Sequence, residues 1–516
     1  MTPATARRRR RRRLTPRRWL PFLALSALVV GATVLEPELS TVDPAQLDSS
    51  LDRSTLPAVT GPDALSTAWY CAGGTAAGSE GLAELTILLA NDAPIGATAD
   101  VTFLTAEGQA GEVETLSVPA HGRARVAAAE RVEAEWVGAV VEVHGGRVAV
   151  DREVIGSLGF DAAPCSTEAA DRWYVASGAT VRGSELYLSF FNPFADATSV
   201  DVTFATNTGR RAPRALRGFS IPGRSVRVVR VGEIVTDRST VAATVRARIG
   251  RVVVDRIQTF DGTGDAVTGE GEAAAATPAP KGLISTPASP VRADRWVIPG
   301  GRVAEGVRTQ IAVYNPGSAA AEVDVVVSYQ DPQRYPSPAP IGISVPAREQ
   351  VIVDLNDQPD VLAETDLWVD VRSLEGVPVV AERVSTFGDP SSRQGAAATL
   401  GNPVAATRWL VTQAGPTRLR SGTVQVVNPG STEARVTVLT LADGDRRELT
   451  SAAVVVPAGD RRSLDLGSAA RAASVVVASS EPVVVGSSLS LLDGFGISLQ
   501  PAFAFPEAVV ALPPLR

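Results

Sequence analysis

The side chains best equipped for catalysis are few. His121 and His144 are the only histidines, Cys71 and Cys165 the only cysteines, and Lys281 the only lysine. His121 follows Pro119-Ala120 in a turn, and His144 ends an alternating run beside Gly145. No helical segment presents two histidines one turn apart, so a zinc site of the usual kind has no support. No serine sits in a nucleophile-elbow pattern, and no Ser-x-x-Lys can be built around Lys281. A phosphate-cradling glycine loop with its lysine is also missing. Asp261-Gly262-Thr263-Gly264-Asp265 resembles the start of a calcium loop, but the later ligand positions are lacking and the stretch reads as linker. Acids are plentiful and scattered, and the paired carboxylates of a glycosidase leave no signature in such a chain. The reading assigns no catalytic, cofactor-binding or metal-binding residue, and expects a protein that is not an enzyme.

Two features carry some chemistry. An even cysteine count in an exported chain suggests a disulfide between Cys71 and Cys165. The second feature is an acid followed by arginine, as Asp151-Arg152, Asp255-Arg256 and Glu382-Arg383; the fourth equivalent stretch has Gly486-Ser487-Ser488 instead. Adjacent strand residues point to opposite faces. The simplest expectation is an exposed acid and an arginine packed along the sheet or paired across strands. A repeated ligand or partner contact is the sharper alternative.

These dipeptides sit inside a fourfold repeat. Trp recurs as Trp69, Trp173, Trp296 and Trp409, Asn as Asn91, Asn192, Asn315 and Asn428, and Pro as Pro119, Pro222, Pro346 and Pro457. Trp to Asn spans 22, 19, 19 and 19 positions, and Asn to Pro 28, 30, 31 and 29. Spacing kept that closely marks internal repeats. The signature has structural explanations. Trp buries a large area, Asn-Pro or Asn-Pro-Gly ends an apolar strand in a turn, and Val-Pro-Ala marks a strand edge.

The repeats are placed at 68–165, 172–261, 294–389 and 407–498, each with about seven short Val-rich runs bounded by Gly, Pro, Asn or Asp. Short strands at that spacing predict an all-β chain of four immunoglobulin-like β-sandwich repeats. Gly145-Gly146 is a hairpin signal between Val143 and Val148. The Pro/Gly/Ala stretch 262–293 reads as a linker dividing the body into two pairs of repeats. The tail 499–516, with Phe503 and Phe505, is expected to add an edge strand.

The N-terminus sets the location. Residues 1–18 hold nine arginines (Arg7 to Arg13, Arg17 and Arg18) and no acid. The uncharged, apolar stretch 19–35 would span roughly 26 Å as a helix, close to the roughly 30 Å of a bilayer core. Basic residues before it, and Glu36 and Glu38 after it, predict a single transmembrane signal-anchor with the body outside the cytoplasm. A cleaved signal peptide ending near Val30-Gly31-Ala32, and hence secretion, is the alternative. Residues 36–67 read as a spacer. The overall charge of −7 leaves an acidic body once the N-terminal arginines are set aside, which argues against nucleic-acid binding.

The order Trp, Asn-Pro, Val-Pro-Ala and Val-Val-Ala-Glu-Arg, with the Trp69-Tyr70-Cys71 opening and the basic N-terminus, resembles an actinobacterial family of secreted or membrane-anchored β-repeat proteins catalogued as a domain of unknown function. The resemblance covers about residues 1–510. It implies the cell envelope and brings no catalytic residues. The function expected is therefore binding or scaffolding outside the cytoplasm, toward an unidentified envelope protein or glycan. The alternatives are a glycan-processing enzyme with loop-built acids and an accessory subunit of an envelope-glycan synthesis or export complex.

Overall fold

In the computed structural model, residues 56–513 are described, apart from 79–80, 264–279, 333, 390–392, 414, 416–418, 443, 450–451, 468, 470–472 and 492–495. The segments 1–18, 19–35 and most of the 36–67 spacer lie outside the described residues. Among the described residues no helix is long and apolar enough to cross a membrane.

The first repeat shows the plan. Its eight strands are Ser66–Cys71, Glu84–Asn91, Ala97–Thr105, Gly108–Val118, Arg123–Ala127, Gly138–His144, Val148–Gly156 and Gly159–Pro164. They form two antiparallel sheets, in the orders first-sixth-third-fourth and fifth-second-seventh-eighth. The third strand shows why they pack. Ala99, Val101 and Phe103 alternate inward at 0% exposure while Thr98, Asp100 and Thr102 face outward. That period of two buries one face and solvates the other. The other three repeats follow the same pairing, with the fourth strand split in two in repeats two and four. In the fourth, the sixth and seventh strands run together as Ser474–Leu491.

The register makes the repeats equivalent residue by residue. Each signature Trp faces a valine of the sixth strand: Trp69 Val141, Trp173 Val245, Trp296 Val371 and Trp409 Val477. All four indoles are at most 1% exposed. In repeats two to four the indole N–H donates to a carbonyl before the seventh strand or at its start: Val252, Val379 and Val483. Each signature Asn is fully buried and joins two turns. Its amide donates to the carbonyl four residues on (Ile95, Asp196, Ala319, Thr432) and to one at or beside the end of the fourth strand (Pro119, Ile221, Val345, Val456). Its Oδ1 accepts from the N–H two residues on. Each signature Pro follows directly on the fourth strand, where a residue without an N–H ends the ladder.

Three expectations are corrected. The repeats have eight strands, and the first pairs with the sixth rather than with the second, so the order is not that of an immunoglobulin domain. Gly145-Gly146 is not a hairpin. The sixth and seventh strands lie in different sheets, and the turn carries the chain across the sandwich. Residues 281–287 are not linker. Lys281–Pro287 is the eighth strand of the second repeat, paired along its length from Asp255↔Pro287 to Asp261↔Lys281. Arg393–Leu400 and Ile497–Pro501 are its counterparts, beyond the expected end of repeat three and across that of repeat four.

The division into two pairs is corrected as well. The four eighth strands, Gly159–Pro164, Lys281–Pro287, Arg393–Leu400 and Ile497–Pro501, touch one another in a closed cycle, each meeting both neighbours. Their small side chains permit it. A Cβ on Gly282 would lie 2.2 Å from the Ala396 backbone nitrogen, and one on Gly395 3.3 Å from that of Ile497. Asp161 ties the first, second and fourth strands, accepting from the Ser285 N–H at 2.7 Å and the Ser498 hydroxyl at 2.7 Å. The tail closes the cycle. Phe503–Ala504 and Val509–Ala511 pair with the Trp409 strand, while Phe503 and Phe505 enter the first repeat's core, Phe503 edge-on to Trp69 at 5.8 Å.

Candidate functional site

The seventh strand of each repeat is covered on both faces, by its own sandwich and by the neighbouring repeat. The acid–arginine dipeptides therefore sit inside the molecule. Asp151, Asp255 and Glu382 are 1–2% exposed, and Arg152, Arg256 and Arg383 1–4%. The expected exposed acid is corrected. At the first two interfaces they form bonds between repeats, Arg152 and Arg256 each reaching the acid of the next one. Arg152 meets Asp255 at 2.9 Å, and Arg256 grips Glu382 with two nitrogens at 2.7 and 3.0 Å. The acid is also held by the end of the preceding repeat's first strand. The Ala72 N–H donates to Asp255 at 3.0 Å, and the Ser177 hydroxyl to Glu382 at 2.6 Å. Burying an ion is costly unless such partners accompany it.

At the third interface the pattern breaks. Pairing places Gly486 and Ser487 opposite Gln425 and Val424, where Glu382 and Arg383 lie opposite Ala312 and Ile311. Gly486 thus occupies the acid's position. Pro299 fills the vacated room, since a Cβ on Gly486 would come within 2.8 Å of the Pro299 ring. Pro299 is three residues after Trp296, as Ala72 is after Trp69, and it has no N–H to offer a carboxylate. Acid and donor are lost together. Arg383 keeps its buried position, and its Nε and Nη1 have no hydrogen-bond partner.

The fourth interface shows the complementary loss. Ser487 replaces the arginine, so Asp151 has no guanidinium from repeat four. It accepts from the Thr412 hydroxyl, and its Oδ1 has no partner. Burial pushes its carboxyl up to about 7, against pulls from Thr412 and Arg152.

Beside Arg383 opens a polar cavity of about 460 Å³ between the third and fourth repeats. Arg461, on the fifth strand of repeat four, also lines it. Arg461 is 2% exposed, lies 3.5 Å from Asp366, and donates to the Leu367 carbonyl at 3.4 Å. Burial, helped by the charge of Arg461, pulls Arg383 down to about 9, so it is charged at neutral pH. Ser421, Thr423, Gln425 and Ser488 form a hydroxyl and amide wall, bonded to one another at 2.8–3.2 Å with Ser490. Glu364 and Asp366 stand at the rim, both held by Arg302 at 2.7 and 3.2 Å. Two buried guanidiniums facing a roomy polar cavity make a site for a negatively charged group.

The other sequence candidates lie elsewhere. Cys71 and Cys165 form a disulfide with a Cα separation of 4.6 Å, bridging the first strand to the end of the eighth. The twelve signature residues fill cores and turns, away from this cavity. His144, exposed at the end of the sixth strand, pairs with Asp100 at 3.1 Å, and His121 occupies a turn with φ 42°. Asp261 accepts from the Thr263 N–H and hydroxyl, while Gly264 and Asp265 lie outside the described residues. Among the described residues no cluster of His, Cys, Asp or Glu could hold a metal ion. Sequence reading flagged Arg383 and the break in repeat four, but missed Arg461. Its signal was its place four residues after Pro457, where Arg123 stands after Pro119; Arg123 reaches the first-strand end of repeat four, and Arg461 the sixth strand of repeat three.

A family model described as "Family of unknown function (DUF5719)" matches residues 154–284 and 257–512. The comparison with curated proteins found no match. Among solved structures, the Anabaena sensory rhodopsin transducer is 27% identical over 17% of this chain and 77% of its own, with a TM-score of 0.15. Thermotoga maritima 1070 is 15% identical over 22% of this chain and 94% of its own, with a TM-score of 0.19. At those scores the likenesses carry no argument.

Proposed function

This chain belongs to DUF5719, a family of unknown function, and we propose that it is a non-enzymatic binding or scaffold protein of the cell envelope. On this reading residues 19–35 anchor it in the membrane, the spacer follows, and the ring of repeats stands outside the cytoplasm. The observation that carries the binding role is the third interface. The first two interfaces close on internal acid–arginine pairs, while this one holds a buried, partnerless Arg383 beside a cavity of about 460 Å³. A fold gains nothing by burying a lone guanidinium, so the cost points to a ligand.

A hydrolase is the second reading, because Glu364 and Asp366 share the rim of that cavity. Their setting weighs against it. A general acid needs a carboxyl raised toward neutrality, whereas the hydrogen bond from Arg302 holds Glu364 below the usual range. The test is a pull-down with tagged full-length protein from detergent-solubilised cells, beside incubation of the same protein with isolated cell-wall glycan. Retention on the glycan or capture of a defined envelope partner, without turnover, supports binding. Release of soluble sugar fragments overturns it in favour of the hydrolase.

A further inference from the structure

Resting on the binding reading, we propose that the cavity takes an acidic sugar, with its carboxylate seated on Arg383 where Asp255 and Glu382 sit on the arginines of the first two interfaces. Arg152 and Arg256 show what this strand position is built to hold, which is one carboxylate. Repeat four has lost that carboxylate, and the guanidinium is left unpaired in the cavity wall. Gly300 lies four residues after Trp296, the place that Ser177 holds after Trp173. Ser177 covers Arg256, its hydroxyl accepting from Nη1 at 2.6 Å. A Cβ on Gly300 or Gly301 would lie only 3.6 or 3.4 Å from Nη1 of Arg383, so the glycine backbone packs beside that buried nitrogen and offers it no side-chain acceptor.

The rest of the cavity fits a polyol better than a peptide. Thr423, Ser488 and Ser490 offer hydroxyls that both donate and accept, and Gln425 adds an amide. Phe387 supplies an apolar wall for the flat face of a sugar ring. The volume lies within the roughly 300–1,000 Å³ of small-molecule sites. Glu364 and Asp366 at the rim disfavour a dianion such as phosphate and leave a single carboxylate as the better fit.

The test is calorimetric titration of the full-length chain in mild detergent. The probes are a galacturonic acid trimer, its neutral methyl ester, inorganic phosphate, and a short peptide with a free C-terminal carboxylate. The trimer is expected to bind, and the methyl ester to bind at least about tenfold more weakly, the worth of one charge-assisted hydrogen bond. Arg383→Gln should weaken the trimer by a similar factor without lowering the melting temperature. The double variant Pro299→Ala, Gly486→Asp restores an internal acid, and should also lose the trimer. Equal binding of acid and ester, preference for phosphate or peptide, unchanged binding by Arg383→Gln, or no binding of the trimer would each overturn the proposal. If wall glycan is still retained in that case, only the ligand class fails; if nothing is retained, the binding reading fails with it.

Discussion

Arg383 has the same strand position as Arg152 and Arg256 and none of their partners, and Asp151 has the position of Asp255 without its arginine. The two defects are coupled, because one dipeptide in repeat four, Gly486-Ser487, supplies neither the acid for Arg383 nor the base for Asp151. For Asp151 the consequence is a pH dependence. Its carboxyl is raised to about 7 in the fold, against an ordinary 3.8. Between those values the folded chain holds a proton that the unfolded chain has released. Stability therefore falls as pH rises from about 4 to 7, and the loss is complete above that window. Asp151→Asn should flatten that slope by up to about 1.4 kcal/mol per pH unit and raise stability at pH 8. Urea unfolding at pH 5, 6.5 and 8 measures it, and an unchanged slope would count against the assignment.

At the scale of elements, the sequence exposed what repeats and hid what joins. The Trp, Asn and Pro positions were legible because their roles are local: each caps or fills its own sandwich. The eighth strands were not. Gly-Phe-Asp-Ala-Ala-Pro and Lys-Gly-Leu-Ile-Ser-Thr-Pro have little hydrophobic periodicity, since their small residues are chosen for close approach to another repeat. A strand selected by its neighbour across an interface looks like linker in isolation. The dipeptides were visible, but their partners lay about a hundred residues away, and only the register joins them. The local roles are testable by themselves. Asn315→Ala removes two donated bonds and one accepted one from a fully buried site. It should cost about 2–4 kcal/mol in equilibrium unfolding, at roughly 0.5–1.5 kcal/mol per bond plus the groups left unpaired. A loss below about 0.5 kcal/mol would mean that the Asn is not what joins the two turns.

For the whole molecule, the cycle of eighth strands makes the four sandwiches one folding unit, with the C-terminal Phe503 and Phe505 locking the last repeat onto the first. The disulfide adds a constraint to the first repeat alone. It closes a loop of 94 residues, worth roughly 4–5 kcal/mol in the chain-entropy model. Reduction should lower the unfolding midpoint and change mobility on a non-reducing gel, and thiol labelling of the native protein should be negligible before it. Two freely labelled thiols would contradict the bond. The central claim is that acid–arginine pairs clasp the first two interfaces of the ring, and that the third is left with an unpaired arginine. The most direct test compares two substitutions at equivalent positions, Arg256→Met and Arg383→Met, by equilibrium unfolding of the full-length chain without ligand. Arg256→Met strands Glu382 and should cost about 3–5 kcal/mol, while Arg383→Met removes an unpaired charge and should be neutral or stabilising. Equal losses at both positions would mean that Arg383 has an internal partner, and the open interface would not exist.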